Sequence, residues 1–375
     1  MNWKKVKLGE IINVKTGKLD ANAQIIGGKY PFFTCSQESL QIDTYSYDCE
    51  CVLIAGNGDL NVKYFNGKFD AYQRTYIVES RDKIILDVRF LYHFMSKYVE
   101  KLRLDSIGGV IKYIKIGNIT DVLIPLPDLA TQQHIAQVLD QADALRQQNR
   151  QLLGYYDELL QSTFIELFGK NAKDYDSWTL EKIENIVENK KGSMRSGPFG
   201  SDLLHSEFVD SGVFVLGIDN VVHNRFEWAR MRYITEEKYQ KLKRYTVFPG
   251  DLLISIMATV GRVAIVPQDM PLAINSKHLA AITLDKSKVN PMFIAYNLHS
   301  NPEVTRQIAA RGRGAIMEGL NLGLIKEMKI KIPSLPLQQH FAKIVEEIEA
   351  QKSLVQQSLA ESEALFEGLL AEYFG

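Results

Sequence analysis

Cysteine is scarce, with three in 375 residues. An odd, low count argues against a disulfide framework and for a reducing compartment. No apolar run reaches the roughly 18 residues that a membrane-spanning helix needs. The stretch MNWKKVKLGEIINV lacks the apolar core and small-residue cleavage site of a signal peptide, so a cytoplasmic location is expected. An excess of charge is missing too: the net charge is −1. Nucleic-acid binders often carry a clear positive excess, so any such surface here must be a local patch.

Catalytic parts are also missing. There is no G-x-x-x-x-G-K-[ST] phosphate loop, no G-x-G-x-x-G after a strand and no G-x-S-x-G elbow. Cys49-Glu50-Cys51 could start a metal site, but no second pair follows at metal-site spacing, so free thiols are the better reading. Asn290-Pro291-Met292-Phe293 faintly echoes the Asn-Pro-Pro-Tyr/Phe loop of amino-methyltransferases, without the second proline. It reads as the cap and first turn of a helix. Neither an enzyme, a cofactor nor a metal is expected.

What is present is a repeat. TQQHIAQVL (131–139) returns as LQQHFAKIV (337–345). At an offset of 206 residues, Pro127 falls on Pro333, Gln133 on Gln339, His134 on His340 and Phe168 on Phe374, without a gap. Upstream, Gly117 meets Gly323 and Gly108 meets Gly314. The starts of the two halves also match, Trp3 with Trp178 and Ile11 with Ile186, at an offset of 175. The second half thus carries about 30 extra residues between its start and its terminal segment. The ends repeat and the middles do not, which suggests duplicated scaffolds with different payloads.

The terminal segments read as long helices with a coiled-coil seam. One frame runs Ile135, Leu139, Ala142, Arg146, Asn149, Leu153, Tyr156, Leu160, Thr163, Leu167. The other runs Phe341, Val345, Ile348, Lys352, Val355, Leu359, Ser362, Phe366, Leu369, Tyr373. Their apolar members form the expected helix–helix interface, and the polar ones set register. Pro125, Pro127, Pro333 and Pro336 precede the helices; Gly169 and Gly375 follow them. Each would be roughly 55 Å long at about 1.5 Å per residue. The plainer alternative is two helices that each cover only their own domain. His134 and His340 suit a structural or partner contact at a helix start.

The middles read as compact mixed α/β domains. In the second half LLISIM (252–257) and LAAITL (279–284) read as strands and PMFIAYNLHS (291–300) as helix, and CVLIAG (51–56), RTYIVES (74–80) and RFLYHFMSKYVEKL (89–102) occupy corresponding places in the first half. VFVLGI (213–218) and VAIVP (263–267) are further strands. The loops combine basic, amide and hydroxyl side chains with glycine. Such groups can reach phosphates and base edges, although any single loop lysine is more often a solvated charge. Candidates in the first half are Lys15, Lys18, Asn57, Asn61, Lys63, Tyr72, Gln73 and Arg74. In the second half they are Lys191, Ser193, Arg195, Ser196, Asn220, Asn224, Arg225, Thr259, Arg262, Asn275 and Lys277.

Together these pieces resemble the specificity subunit of Type I restriction-modification systems, across the whole chain. The carriers are the two IPLP…QQHIAQVLD and KIPSLPLQQHFAKIVE segments, GPFGSDL (197–203) and RYTVFPGDLLISIMATVGRVAIV (244–266). The first half departs from the pattern: it has no clear GPFGS stretch, so its DNA-facing loops are harder to place. The resemblance implies two target-recognition domains, 1–124 and 171–330. It implies a central spacer helix at 125–170 and a C-terminal one at 331–375, packed as an antiparallel coiled coil. It further implies a split, asymmetric site on double-stranded DNA, two adenine-methylating subunits and a motor-nuclease (restriction) subunit, without a membrane. The alternative class is a coiled-coil assembly scaffold that binds only protein. A self-sufficient DNA methyltransferase or nuclease would need the motifs that are missing.

Overall fold

The structure is a computed structural model that describes residues 3–108, 111–312 and 319–375. Gly314, matched to Gly108 in the repeat, lies outside them. The chain forms two compact units: Met1–Leu152 with Val355–Gly375, and Leu153–Leu354.

The first unit runs β1 (Lys5–Lys7), α1 (Leu8–Ile11), β2 (Ile12–Thr16), β3 (Tyr30–Phe33), β4 (Leu40–Ile42), β5 (Tyr47–Ala55), β6 (Val62–Ala71) and β7 (Thr75–Ser80). Then come α2 (Val88–Asp105), α3 (Gly117–Thr120), β8 (Leu123–Pro125) and the start of α4 (Leu129–Phe168). One six-stranded sheet has the order β2-β7-β5-β6-β3-β4. Successive residues of β5 point to opposite faces. Val52 and Ile54 pack on Phe90, Leu91 and Met95 of α2, while Cys51 and Leu53 join Phe33, Phe69 and Ile77 on the other face. Burial on both sides explains why this strand reads as an unbroken apolar run.

The second unit takes up the rest of α4, then β9 (Thr179–Lys182), β10 (Met194–Ser196), β11 (Val213–Leu216), β12 (Tyr233–Ile234), α5 (Glu236–Leu242), β13 (Thr246–Val247), β14 (Leu252–Ser255) and β15 (Val263–Ile265). It continues with β16 (Ala273–Asn275), β17 (Leu279–Ile282), α6 (Pro291–Ser300), α7 (Pro302–Gly312), α8 (Leu322–Lys326), β18 (Lys329–Ile332) and the start of α9 (Leu335–Phe374). Its sheets are ordered β10-β17-β14-β15 and β12-β11-β16-β13.

The middles, unlike in sequence, share a topology. β2, β7 and β5 correspond to β10, β17 and β14. In the first unit β6 pairs antiparallel with β5 and parallel with β3. In the second unit two strands divide that work: β15 pairs antiparallel with β14, and β16 parallel with β11. α5 and β13 have no counterpart in the first unit and account for part of the extra length. Asn290 caps α6 by accepting from the Met292 amide at 2.8 Å, with Pro291 in the first turn.

The repeated ends have a direct reason. β1 pairs antiparallel with β8, and β9 with β18. Each half's opening strand thus closes on the strand just before its long helix. The first glutamine of each QQH phrase then locks the helix start. Gln132 and Gln338 are fully buried. The Gln132 amide donates to the carbonyl oxygens of Ile85 and Pro127, both at 2.9 Å, and its oxygen accepts from the Asp87 backbone N–H at 3.0 Å. The Gln338 amide donates to Pro333 O at 2.9 Å, and its oxygen accepts from the Asn290 N–H at 2.9 Å. Asp87 and Asn290 are the N-cap residues of α2 and α6, so each glutamine ties an arm to the helix of its own domain. Replacing Gln132 or Gln338 by leucine strands a buried N–H and carbonyl groups. We expect a loss of about 2–3 kcal/mol in either variant, read as a lowered denaturant midpoint. A loss below about 0.5 kcal/mol would refute the lock.

Within each unit the two long helices run antiparallel. In the first, Ile135, Leu139 and Ala142 share a core with Phe366 and Leu370. Asn149 donates to Ser358 Oγ at 3.2 Å and Ser362 Oγ at 3.4 Å, Arg150 pairs with Glu363, and the Arg146 guanidinium lies 4.1 Å from the centre of the Phe366 ring. In the second, Leu160, Phe164 and Phe168 pack with Phe341 and Val345. Lys352 Nζ bonds Asp157 at 2.6 Å and Glu349 at 2.8 Å. None of the seam positions is exposed; Leu153, Tyr156, Ile348, Val355 and Leu359 are half-buried. Pro336 departs from its expected place, since it sits inside the first turn of α9 and not before it.

Candidate nucleic-acid interface

The one parallel pair in each unit's described sheets ends in a cluster of polar loops. In the first unit, β3 and β6 lead to Thr34 and Tyr72. The chain after β2 crosses directly over this end. A Cβ on Gly17 would sit 2.2 Å from the carbonyl oxygens of Ala71 and Tyr72, so only glycine fits. Lys18 N donates to Ala71 O at 3.1 Å. The second unit repeats the crossing: a Cβ on Gly197 would sit 2.2 Å from the Ser276 carbonyl. Thr16-Gly17-Lys18 therefore occupies the place of Ser196-Gly197-Pro198. The missing GPFGS counterpart is a spatial one, invisible as a motif.

Around this edge the first unit exposes Lys18, Gln73 and Arg74, with Asn57 and Tyr72 half-exposed. Gln73 is steadied by a bond from its amide to Asp20 at 3.1 Å. Lys15 is exposed too, but pairs with Glu79 at 2.7 Å. Asn61 and Lys63 turn inward. The Asn61 amide donates to Cys35 O at 2.8 Å, and Lys63 Nζ donates to Ser36 O at 2.8 Å and to Asn61. Burial pulls the Lys63 pKa down. These two brace the loop after β3.

In the second unit Lys191, Arg225, Thr259, Arg262 and Lys277 are exposed, and Ser196 and Asn224 half-exposed. Two loops converge on a cleft lined by Asn224, Ala258, Gly261, Arg262 and His299. Asn224 and Ala258 both adopt left-handed backbone, with φ of 57° and 61°. The Asn224 side chain accepts from Val263 N at 3.2 Å, joining one loop to β15. Ser255 Oγ accepts from Arg262 N at 2.8 Å and donates to Thr259 O. The turn is thus held firmly enough to keep Ala258 in a strained conformation, with Thr259 and Arg262 directed to solvent.

Four second-unit candidates, Ser193, Arg195, Asn220 and Asn275, are buried instead. Asn220 accepts from Gly217 N at 2.8 Å and donates to Glu227 O at 2.9 Å. Asn275 donates to Leu279 O at 2.8 Å, and Ser193 to Lys190 O at 2.8 Å. Arg195 is buried against Asp251. Each completes a turn or a sheet edge with the bonds named, while the buried Asn275 side-chain oxygen has no partner among the described residues.

His299 went unnoticed in the sequence, because nothing local marks it as buried. Its ring stands 4.6 Å from that of Tyr296, and burial, aided by the Arg262 charge, pushes its pKa down to about 4. Below the usual histidine value near 6.5 the unfolded chain takes the proton first. Stability from the neutral ring is therefore full above that value and falls as pH drops through 4. We expect wild type to lose about 3 kcal/mol more than His299→Gln between pH 7 and pH 4. Equal acid sensitivity of the two proteins in denaturant melts would disprove it.

Comparison with known proteins settles the family. A family model described as Type I restriction modification DNA specificity domain matches residues 1–153 and 207–364. The chain belongs to this family. The specificity subunit of the Escherichia coli EcoDI restriction enzyme is 44% identical over 140 residues, covering 37% of this chain and 31% of that protein. The E. coli EcoBI specificity subunit is 24% identical over 309 residues, covering 76% and 65%. The chain thus spans less than two thirds of either relative. The MjaVIII specificity subunit of Methanocaldococcus jannaschii is 22% identical over 370 residues, covering 93% and 86%. The solved specificity subunit of a Mycoplasma genitalium Type I system covers 100% of this chain and 96% of its own, with a TM-score of 0.69 and 18% identity. At that identity the likeness concerns the fold. Family membership places the chain with specificity subunits, which are not the catalytic ones. Among the described residues no helix is long and apolar enough to cross a membrane.

Proposed function

We propose that the chain is the DNA-reading subunit of a Type I restriction-modification complex in the cytoplasm. Residues 1–124 and 171–330 each read one half of a split, asymmetric site. The helices of 125–170 and 331–375 hold the readers at a set spacing. Two adenine-methylating subunits dock on the helices and flanking surfaces, and a motor-nuclease subunit joins for cleavage.

The observation that carries this reading is one topology used twice with different side chains at the same edge. Gly17 and Gly197 mark that edge. One copy presents Lys18, Gln73 and Arg74; the other presents Ser196, Lys277 and the Arg225 and Arg262 loops. Unlike readers on like scaffolds suit an asymmetric target. With a net charge of −1, the chain alone should bind DNA modestly and lose affinity steeply with salt.

The test is selection of random duplex DNA by this chain assembled with its methylating subunit. The expected result is two short unlike motifs at a constant separation. Exchange of residues 171–330 for another member's domain should change one motif only. Enrichment of nothing from a folded, assembled complex would favour the protein-only scaffold.

A further inference from the structure

We infer that the second unit carries a binding site for a single nucleotide, in the cavity at the carboxyl ends of β11 and β16. The base would lie against the apolar interior and the phosphate at the cationic rim. The nucleotide could come from bound DNA, a source that rests on the proposed function, or be free in solution.

The cavity has a volume of about 520 Å³, within the range of small-molecule sites. Its position follows a general rule for open α/β sheets, in which ligands settle beyond the carboxyl ends of parallel strands. β11 and β16 are the unit's parallel pair, and Leu216, Gly217 and Ser276 at their ends line the space. Leu203, Phe208, Ile218 and Met231 supply apolar wall. Arg230 and Lys277 are exposed at the rim, and neither has an ion-pair partner among the described residues. Arg232 is already matched, bonding both Asp219 oxygens at 3.0 Å. The lining charges are thus Arg230, Arg232 and Lys277 against Asp210 and Asp219. One positive charge remains for a phosphate.

Two polar groups inside are suited to a base edge. Ser276 has a buried hydroxyl with no partner among the described residues. An unmade buried hydrogen bond is unfavourable, and a ligand would satisfy it. His278 is held towards its neutral form by burial, Lys277 and Arg232, so its ring offers one donor and one acceptor.

The test uses the full chain and the four deoxynucleoside 5′-monophosphates, with binding followed by ligand-observed NMR. Wild type is expected to bind at least one with a dissociation constant on the order of 1 mM or tighter. Arg230→Glu/Lys277→Glu, at the exposed rim, should weaken it about tenfold or more, and Ser276→Leu should fill the interior and abolish it. A second arm places 2-aminopurine at each position of the selected duplex. A fluorescence rise with wild type, lost in Ser276→Leu, identifies a base drawn from the DNA; mononucleotide binding without that rise identifies free nucleotide. Absence of mononucleotide binding, or binding unchanged in both variants, overturns the site. Failure of duplex selection would instead count against the DNA-reading role, since the mononucleotide arm does not need it.

Discussion

Adding one heptad to each long helix is expected to widen the gap between the two half-sites by about three base pairs. α4 and α9 are each 40 residues long, and each runs unbroken from one unit into the other, at Leu152–Leu153 and at Leu354–Val355. Seven residues preserve the alternation of four and three along the seam. At about 1.5 Å per residue they add roughly 10.5 Å, close to three steps of about 3.4 Å along DNA. The insertion must be made in both helices. In one alone it would slide Asn149 off Ser358 and Ser362, or Lys352 off Asp157, and mismatch the polar seam. Seven residues turn a straight helix by only about 20° short of two full turns, whereas three base pairs rotate by roughly 100° at about 10.5 per turn. Affinity should therefore fall while both motifs stay the same. Selection with the lengthened protein reads spacing and motifs together. An unchanged spacing would refute the spacer role.

Arg195→Met is expected to destabilise the second unit by about 3–5 kcal/mol, a large part of the 5–15 kcal/mol typical of a domain. Arg195 and Asp251 are 7% and 1% exposed. The guanidinium donates to Thr246 O at 2.6 Å, Gly192 O at 3.1 Å, Thr283 Oγ1 at 3.0 Å and the Asp251 carboxylate, and lies 5.0 Å from the centre of the Phe248 ring. Asp251 in turn accepts from Phe248 N at 2.7 Å and Thr283 Oγ1 at 2.6 Å. Methionine keeps the volume but leaves a buried carboxylate without its countercharge. Lysine keeps the charge, yet its three donors on one atom cannot reproduce the planar fork, so it should rescue only in part. Denaturant melts give the magnitude, and mapped proteolysis assigns the loss to Leu153–Leu354. A variant of wild-type stability with weakened DNA binding would return Arg195 to the contact surface.

Arg195 also shows how far a sequence can be read. It sits in a glycine-rich, basic stretch beside Lys191 and Ser196, and composition alone treats all three alike. Only pairing of β10 with β17 brings Arg195 opposite Ala281, within reach of Asp251 and Thr283. Asn275 follows the same logic, since its amide also reaches the Arg195 carbonyl at 3.4 Å, 80 residues back in the chain; Asn220 instead closes its own loop through Gly217 and Glu227. Gly17 lacked any motif because its constraint is the backbone of Ala71 and Tyr72 more than 50 residues away. Gln132 and Gln338 were visible as a repeated letter, but their lock needed the positions of Asp87 and Asn290.

The doubled arms were determined by sequence alone. A seam of period 3.5 is a local property, since every seam residue is specified by neighbours three or four positions away; the seam ends are also buried in the domain cores, as Phe341 is beside Phe293 and Phe366 beside Phe90. The likeness of the two middle domains and the face they turn outward were decided by tertiary structure. Sheets join distant strands through backbone bonds that any side chain permits, so unlike sequences can share one topology while packing selects which polar groups remain for a ligand.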